Sequence, residues 1–347
     1  SNPLQPCISV PLVSTALAMS VPESPLIAYR REFLEAEGTP LAIELRPGRR
    51  YGLVATADVE EQSCLLAEAP LALVQTHASR SSTPACSRCL CPFAAARGAE
   101  DLGEMVCCAC GDRYCSEACR RLAWSAEHEL LCPAAGPSAE GAGREAAVAL
   151  RRLLSELPNI GEAFELAIRL LALSAHEEVE LAEGEQRPVV GPRLWSLLQG
   201  LAGSAWWETV RFERGQLEEA RRVTQQVLEL AKEVLSGQAL LPDVGSDAFA
   251  HLVGQVRMNA VEVVVPPEDD EDESGQSAAG IALHLVASAV NHECEAKCAV
   301  QTALPLPELR GWAVLQALSP LSVGSEVTIS YAAGPRAERR AALSEQW

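Results

Sequence analysis

Four close pairs of cysteine and histidine carry the most legible chemistry in this chain. They read Cys86-x2-Cys89, Cys107-x2-Cys110, Cys115-x3-Cys119 and His128-x3-Cys132. Eight thiol or imidazole ligands within 47 residues are enough for two tetrahedral zinc sites. Zinc suits them because it is borderline-soft and closes a structural site with four S or N ligands. A single CxxC could equally be a redox pair. A disulfide cluster would require a secreted protein, and the other cysteines, such as Cys7 and Cys64, have no framework spacing. A reducing compartment fits better.

Asn291-His292-Glu293-Cys294 is a weaker signal. Adjacent residues on a strand face opposite ways, so this His and Cys do not make a nucleophile–base pair. The sequence has no recognisable Ser/His/Asp set and no glycine loop of the phosphate-cradling kind.

The elements that must position these residues change in character along the chain. Residues 1–40 are expected to form a poorly ordered tail. Within it, residues 1–22 carry no charge, and Met19 is the first methionine. Cys7 to Met19 is apolar enough for a signal core, but Pro11 interrupts it and no basic stretch precedes it. A processed or fragmentary N-terminus is the expectation. Residues 41–80 read as short strands at Leu41–Leu45, Tyr51–Thr56, Cys64–Glu68 and Leu71–Gln75, punctuated by Pro47-Gly48 and Pro70. The cysteine block 86–132 begins loop-like. Ser116 is placed to cap a short helix, and His128 and Cys132 share one helical face before Pro133 ends it.

Residues 144–250 switch to helical period. Ala146, Leu150, Leu153 and Leu154 make one stripe, and Phe164, Ile168 and Leu171 another. The clearest is Leu217, Ala220, Val223, Val227, Leu230 and Val234. All read as core faces, and Trp206 and Trp207 as core or interface residues. Strands return in 251–334, at Val261–Val265, Trp312–Gln316 and Val327–Tyr331. The acidic run 266–274 reads as a solvated loop, open to a basic partner. Residues 335–347 form a closing segment of helical character.

At 347 residues the chain can bury a sizeable core. Its net charge of −19, from 28 basic and 47 acidic residues, argues against nucleic-acid binding and favours basic partners. It has no run of 18 apolar residues, so no membrane partner is expected.

Taken together, these motifs resemble the SET and MYND domain-containing family of protein lysine methyltransferases. The order CxxC, CxxC, CxxxC, HxxxC resembles the MYND finger. Tyr51-Gly52-Leu53-Val54-Ala55-Thr56 is similar to the family's opening glycine-containing strand, and Asn259-Ala260-Val261 to its Asn-x-Phe strand. Asn291-His292-Glu293-Cys294 resembles its Asn-His-Ser-Cys motif. Gly324-Ser-Glu-Val-Thr-Ile-Ser-Tyr331 resembles its Gly-Glu-Glu-Ile-Thr-Ile-Ser-Tyr signature.

The resemblance implies an α+β fold: a β-rich, knot-like SET domain split by a MYND zinc finger and a helical insert. It implies methyl transfer from S-adenosylmethionine to a lysine of a protein substrate, histone or non-histone. Tyr331 takes the catalytic position. Arg49, Tyr51, Asn259, Ser288, Ala289, Asn291 and His292 take the cofactor-binding positions. Two zinc ions are implied, with interleaved pairs: Cys86, Cys89, Cys115 and Cys119 on one, Cys107, Cys110, His128 and Cys132 on the other. Cys91 and Cys108 are bystanders. A proline-rich peptide is a further partner that such fingers can dock. A monomer in the cytoplasm, the nucleus or both is expected.

The chain also departs from the family pattern. Arg50 replaces a glycine; Glu293, Ala296 and Lys297 replace Ser, Pro and Asn; Val261 replaces Phe. The sequence stops before the Cys-x-Cys-x2-Cys segment that would join Cys294 in a third zinc site. These departures keep a second expectation open: a degenerate SET scaffold that acts through its finger as a protein-interaction module.

Overall fold

The computed structural model describes residues 23–46, 48–93, 105–106, 110–134, 141–157, 160–176, 190–210, 212, 215–267, 276–304 and 307–332. The fold is mixed α+β, with several small sheets set around and after a block of helices.

The described part opens with helix α1, Pro25–Ala36, inside the span expected to be a disordered tail. Pro25 sits in its first turn, where a missing N–H costs nothing. Leu26, Ile27, Arg30 and Leu34 are buried along one face, and that contact, rather than local propensity, holds the helix.

Strands β1 (Leu41–Leu45) and β2 (Tyr51–Ala55) form an antiparallel hairpin. β3 (Cys64–Glu68) and β4 (Ala72–Gln75) follow, then the short helix α2 (His77–Ser82). Thr76 caps α2 by accepting the Ser79 N–H at 3.2 Å.

The cysteine block carries β5 (Met105–Val106) paired with β6 (Arg113–Tyr114). Helix α3 (Glu117–Ala123) opens into a π turn over Trp124–His128 and ends in α4 (Glu129–Leu131). Ser116 caps α3, accepting the Cys119 N–H at 3.1 Å.

The helical block comprises α5 (Gly141–Ser155), α6 (Gly161–Ala175), α7 (Gly191–Leu198), α8 (Gln216–Val234) and α9 (Ser246–Asn259). It begins three residues before the boundary read from sequence, and the boundary at 250 falls inside α9. That helix runs without a break into β7 (Ala260–Val265). Helix α6 is buried on nearly every face and forms the centre of the block.

On α8 the buried residues are Ala220, Thr224, Val227, Leu228, Ala231 and Val234, whereas Leu217 is exposed. The expected stripe is therefore rotated, and Val223 and Leu230 lie at its edge. Thr224 explains the shift. Its hydroxyl donates to Ala220 O at 2.8 Å and accepts from Trp206 Nε1 at 3.0 Å, so a polar side chain is fully satisfied at a core position.

The remaining strands are β8 (Ala278–Leu283), β9 (Asn291–His292), β10 (Cys298–Gln301), β11 (Ala313–Ala317) and β12 (Thr328–Ile329). The Val327–Tyr331 strand is thus shorter than expected. Sheet β4–β8–β7 sits between two apolar clusters. Ala72, Val74 and Leu283 face the helices, while Leu73, Val263 and Ala282 pack with Ala85 and Leu90 at the start of the cysteine block. A second core joins α1, β1–β3, β10 and β11. Among the described strands, β9 and β12 make the one parallel pair, and it brings residues 291–292 against 328–329.

Candidate functional site

The cysteine block gathers its ligands into two groups. The sulfurs of Cys86, Cys89, Cys115 and Cys119 all lie within 4.8 Å of one another, with Cys89 to Cys115 at 3.5 Å and Cys115 to Cys119 at 3.6 Å. Four sulfurs at about 2.3 Å from one tetrahedral zinc lie about 3.8 Å apart, so this group fits that ion. The Cys86 amide donates to Cys91 O, and Leu90 N to Cys86 O, each at 2.9 Å. This tight turn forces Leu90 to a φ of 58° while its side chain is fully buried. Cys91 is buried too, with its thiol near Pro92 O.

The second group is Cys110, His128 and Cys132. Cys107 lies outside the described residues. His128 Nε2 is 3.5 Å from Cys110 Sγ, and the Cys132 N–H donates to His128 O at 2.8 Å, so both ligands project from one helical turn. The other imidazole nitrogen, Nδ1, is 3.1 Å from the Asp112 carboxylate. Burial opposes ionisation of Asp112, but the hydrogen bond from His128 and the charges of Arg151 and Arg169 hold it well below the usual carboxylate range. This donor set is also suited to zinc, with a carboxylate fixing which nitrogen faces the ion.

A cavity of about 150 Å³ lies between this group and helices α2, α5 and α6. Its polar wall is a chain of ion pairs: Arg151–Asp112, Arg169–Glu127, Arg169–Glu165 and Arg80–Glu165.

The expected cofactor-binding residues and the expected catalytic Tyr331 divide into two sets. The β9–β12 pair brings Asn291 and His292 to Tyr331, and Arg49, in the β1–β2 turn, joins them through Glu326. Asn291 Nδ2 donates to Glu326 Oε1 at 2.8 Å, and Arg49 reaches the same oxygen at 3.4 Å. Arg46 Nε is 3.5 Å from Glu326 Oε2. The Tyr331 N–H donates to His292 Nδ1 at 3.1 Å, its ring lies 5.3 Å from the imidazole, and its hydroxyl donates to Val290 O at 2.6 Å. Burial pushes the phenol pKa up, so it stays protonated across the neutral range. Tyr51 is half-buried against the strand core. Gly52 approaches closely: a Cβ there would sit 2.5 Å from Asn291 Nδ2.

Asn259 and Ser288 spend their side chains on backbone. Asn259 Nδ2 donates to Ala202 O at 2.6 Å and Gln255 O at 2.7 Å, tying α9 to the loop after α7. The Ser288 hydroxyl donates to Leu285 O at 3.1 Å and accepts from Arg30. Ala289 is buried.

Three residues of these networks have no expected role in the sequence. Glu326 lies within the Gly324–Tyr331 signature, Arg30 in the span expected to be a tail, and Asp112 carries no motif of its own.

No family model matches the chain, and no curated protein does. A solved structure described as the SET domain of LSMT bound to lysine and AdoHcy aligns over 93% of this chain and 57% of that one. The identity is 15% and the TM-score 0.36. The chain therefore spans little more than half the length of that structure.

Proposed function

We propose that this chain transfers a methyl group from S-adenosylmethionine to a lysine amine of a protein, on a SET-type core carrying a two-zinc finger of the MYND type. The observation that carries this reading is the parallel pairing of Asn291–His292 with Thr328–Ile329, two segments far apart in sequence. It gathers an amide, an imidazole and a phenol at one place, and Glu326, just before β12, adds the Arg49 guanidinium from the β1–β2 turn. S-adenosylmethionine, when bound, supplies an electrophilic methyl group beside a cationic sulfur.

The protein's own residues would do the positioning. Arg49 and the Asn291 amide are donors suited to a carboxylate. The Tyr331 hydroxyl is oriented by donating to Val290 O, and a phenol oxygen that donates its hydrogen has the chemistry to accept from a lysine N–H. Holding the amine in line with its hydrogens turned away accounts for a large share of such a barrier. Asn259 and Ser288 have spent their side-chain hydrogens, so they offer the cofactor backbone or shape rather than new donors. A net charge of −19 favours a basic, lysine-rich segment as substrate, a histone tail among the candidates.

A degenerate scaffold is the second reading. It is favoured by Glu326, which already occupies Asn291, Arg46 and Arg49. Calorimetry with S-adenosylmethionine on the folded, zinc-loaded chain decides between the two. Binding is expected, and Tyr331→Phe should keep that affinity while lowering methylation of a lysine peptide by roughly tenfold or more. No binding by the wild-type protein overturns the enzyme reading. Equal loss of affinity and methylation in Tyr331→Phe overturns the role of Tyr331.

A further inference from the structure

Asp112 and Arg151 are not metal ligands, yet both are built onto the second ligand group. His128 turns Nε2 towards Cys110, at 3.5 Å, and Nδ1 towards Asp112, at 3.1 Å. Asp112 therefore selects the tautomer with its proton on Nδ1 and its lone pair on the metal side. Arg151 of α5 grips both Asp112 oxygens, at 3.4 and 3.3 Å, and donates to the carbonyl of Cys110 at 3.2 Å. One guanidinium thus holds the backbone of one ligand and the orienting carboxylate of another.

The contact continues away from the finger. Arg169 of α6 binds Glu127, the residue before His128, at 3.1 Å, and Glu165 at 3.2 Å. Glu165 accepts from Arg80 of α2 at 2.9 Å. Glu127, Glu165 and Arg169 have little exposed side chain, so this is no fringe of surface charges. Buried pairs of this sort depend on every partner being in place, because an abandoned charge is costly.

We propose that Asp112 and Arg151 are positioning residues of the second zinc site, and that through them the docking of the finger on α5 depends on that ion. The metal fixes His128, His128 fixes Asp112, and Asp112 with the Cys110 carbonyl fixes Arg151 on α5. This inference rests on reading the Cys110–His128–Cys132 group as a zinc site. It does not rest on methyl transfer.

The test uses the full zinc-loaded chain, with zinc release to an excess of a chromogenic chelator followed in time. Amide exchange over residues 141–155 is measured on the same samples. Wild type should release two zinc ions per chain. Asp112→Asn and Arg151→Met should still load two, but one ion should leave roughly 10–100-fold faster, the range for loss of an outer-shell partner. Exchange in α5 should rise in both variants, while α9 stays protected. Arg151 is partly exposed and its replacement removes no candidate ligand, so it is the variant that carries the test if Asp112→Asn does not fold. Unchanged release in both variants, with two zinc ions in wild type, overturns the positioning role alone. Faster release with unchanged α5 exchange overturns the docking role. A wild-type chain that loads one zinc or none overturns the zinc reading itself.

Discussion

At the end of β3, Glu68 sets its two carboxylate oxygens against the amides of Val286 and Ala287, at 2.7 to 3.1 Å. Arg30 completes the clamp, donating to Leu285 O at 2.7 Å and to the Ser288 hydroxyl at 3.0 Å. Together they hold the turn that leads into Asn291 and His292. Burial raises the Glu68 pKa to about 7, although the two backbone amides and Arg30 pull it back. A carboxyl whose folded pKa lies above its unfolded value binds more protons when folded. Stability is therefore lost as pH rises from about 4.5 towards 7. Glu68→Gln removes this term. The melting-temperature difference, wild type minus variant, should fall between pH 5.5 and pH 8, by the equivalent of about 2 kcal/mol at most. Taking the difference cancels metal loss at low pH, and a flat difference would contradict the assignment. Seven of the eight candidate ligands read from the paired spacing fall into the two groups, and the eighth, Cys107, lies outside the described residues. Which pairs share an ion was not legible from spacing, since interleaving depends on the fold. Nor was Glu68, whose role rests on a turn more than 200 residues away.

Short strands and helices were readable to the extent that their own residues determine them. Leu41–Leu45 and Cys64–Glu68 have strand composition and lie on strands with those bounds. Ala278–Leu283 does not: it is rich in alanine and glycine, and it becomes β8 because β4 and β7 pair with it on both edges. Gly280 within it serves close packing, with a Cβ there lying 2.6 Å from Val74 O. Close packing of this kind is strongest on α9. A Cβ on Gly254 would lie 1.8 Å from Ser204 O, where backbone meets backbone and no side chain can swing aside. On propensity alone, Gly254→Ala should stabilise a helix interior by about 1 kcal/mol. Overpacking costs more at such a site, and the net expectation is a loss of about 2 kcal/mol. A lowered thermal midpoint with zinc content unchanged checks it, and a raised midpoint would mean that α9 and the 204–206 segment are further apart.

The whole molecule has cores of very different size, and this decides how it should come apart. Among the described residues the helical core extends from Leu26 through α5–α9 to Leu285, whereas the cysteine block's own apolar cluster comprises Cys86, Cys91, Tyr114 and Ala123. The strand–finger–helix–strand order could be read along the chain, because composition and period change at each step. The closure of β9 on β12 could not, since two residues on each side carry no pairing signal. From these sizes a graded response to metal removal follows. If the proposed zinc ions are bound, a cluster that small leaves much of the block's chain entropy to be offset by them. Excess chelator should therefore abolish amide protection over residues 110–132 and loosen α5, whose Arg151 binds the finger. Helices α6 and α9, buried within the large core, should keep their protection, and most of the helical circular dichroism should survive. Cys119→Ser and Cys110→Ser should each lose one zinc per chain, from different groups. A single cooperative collapse of α6 and α9 along with the finger on chelation would refute this division and make the metal sites the keystone of the entire fold.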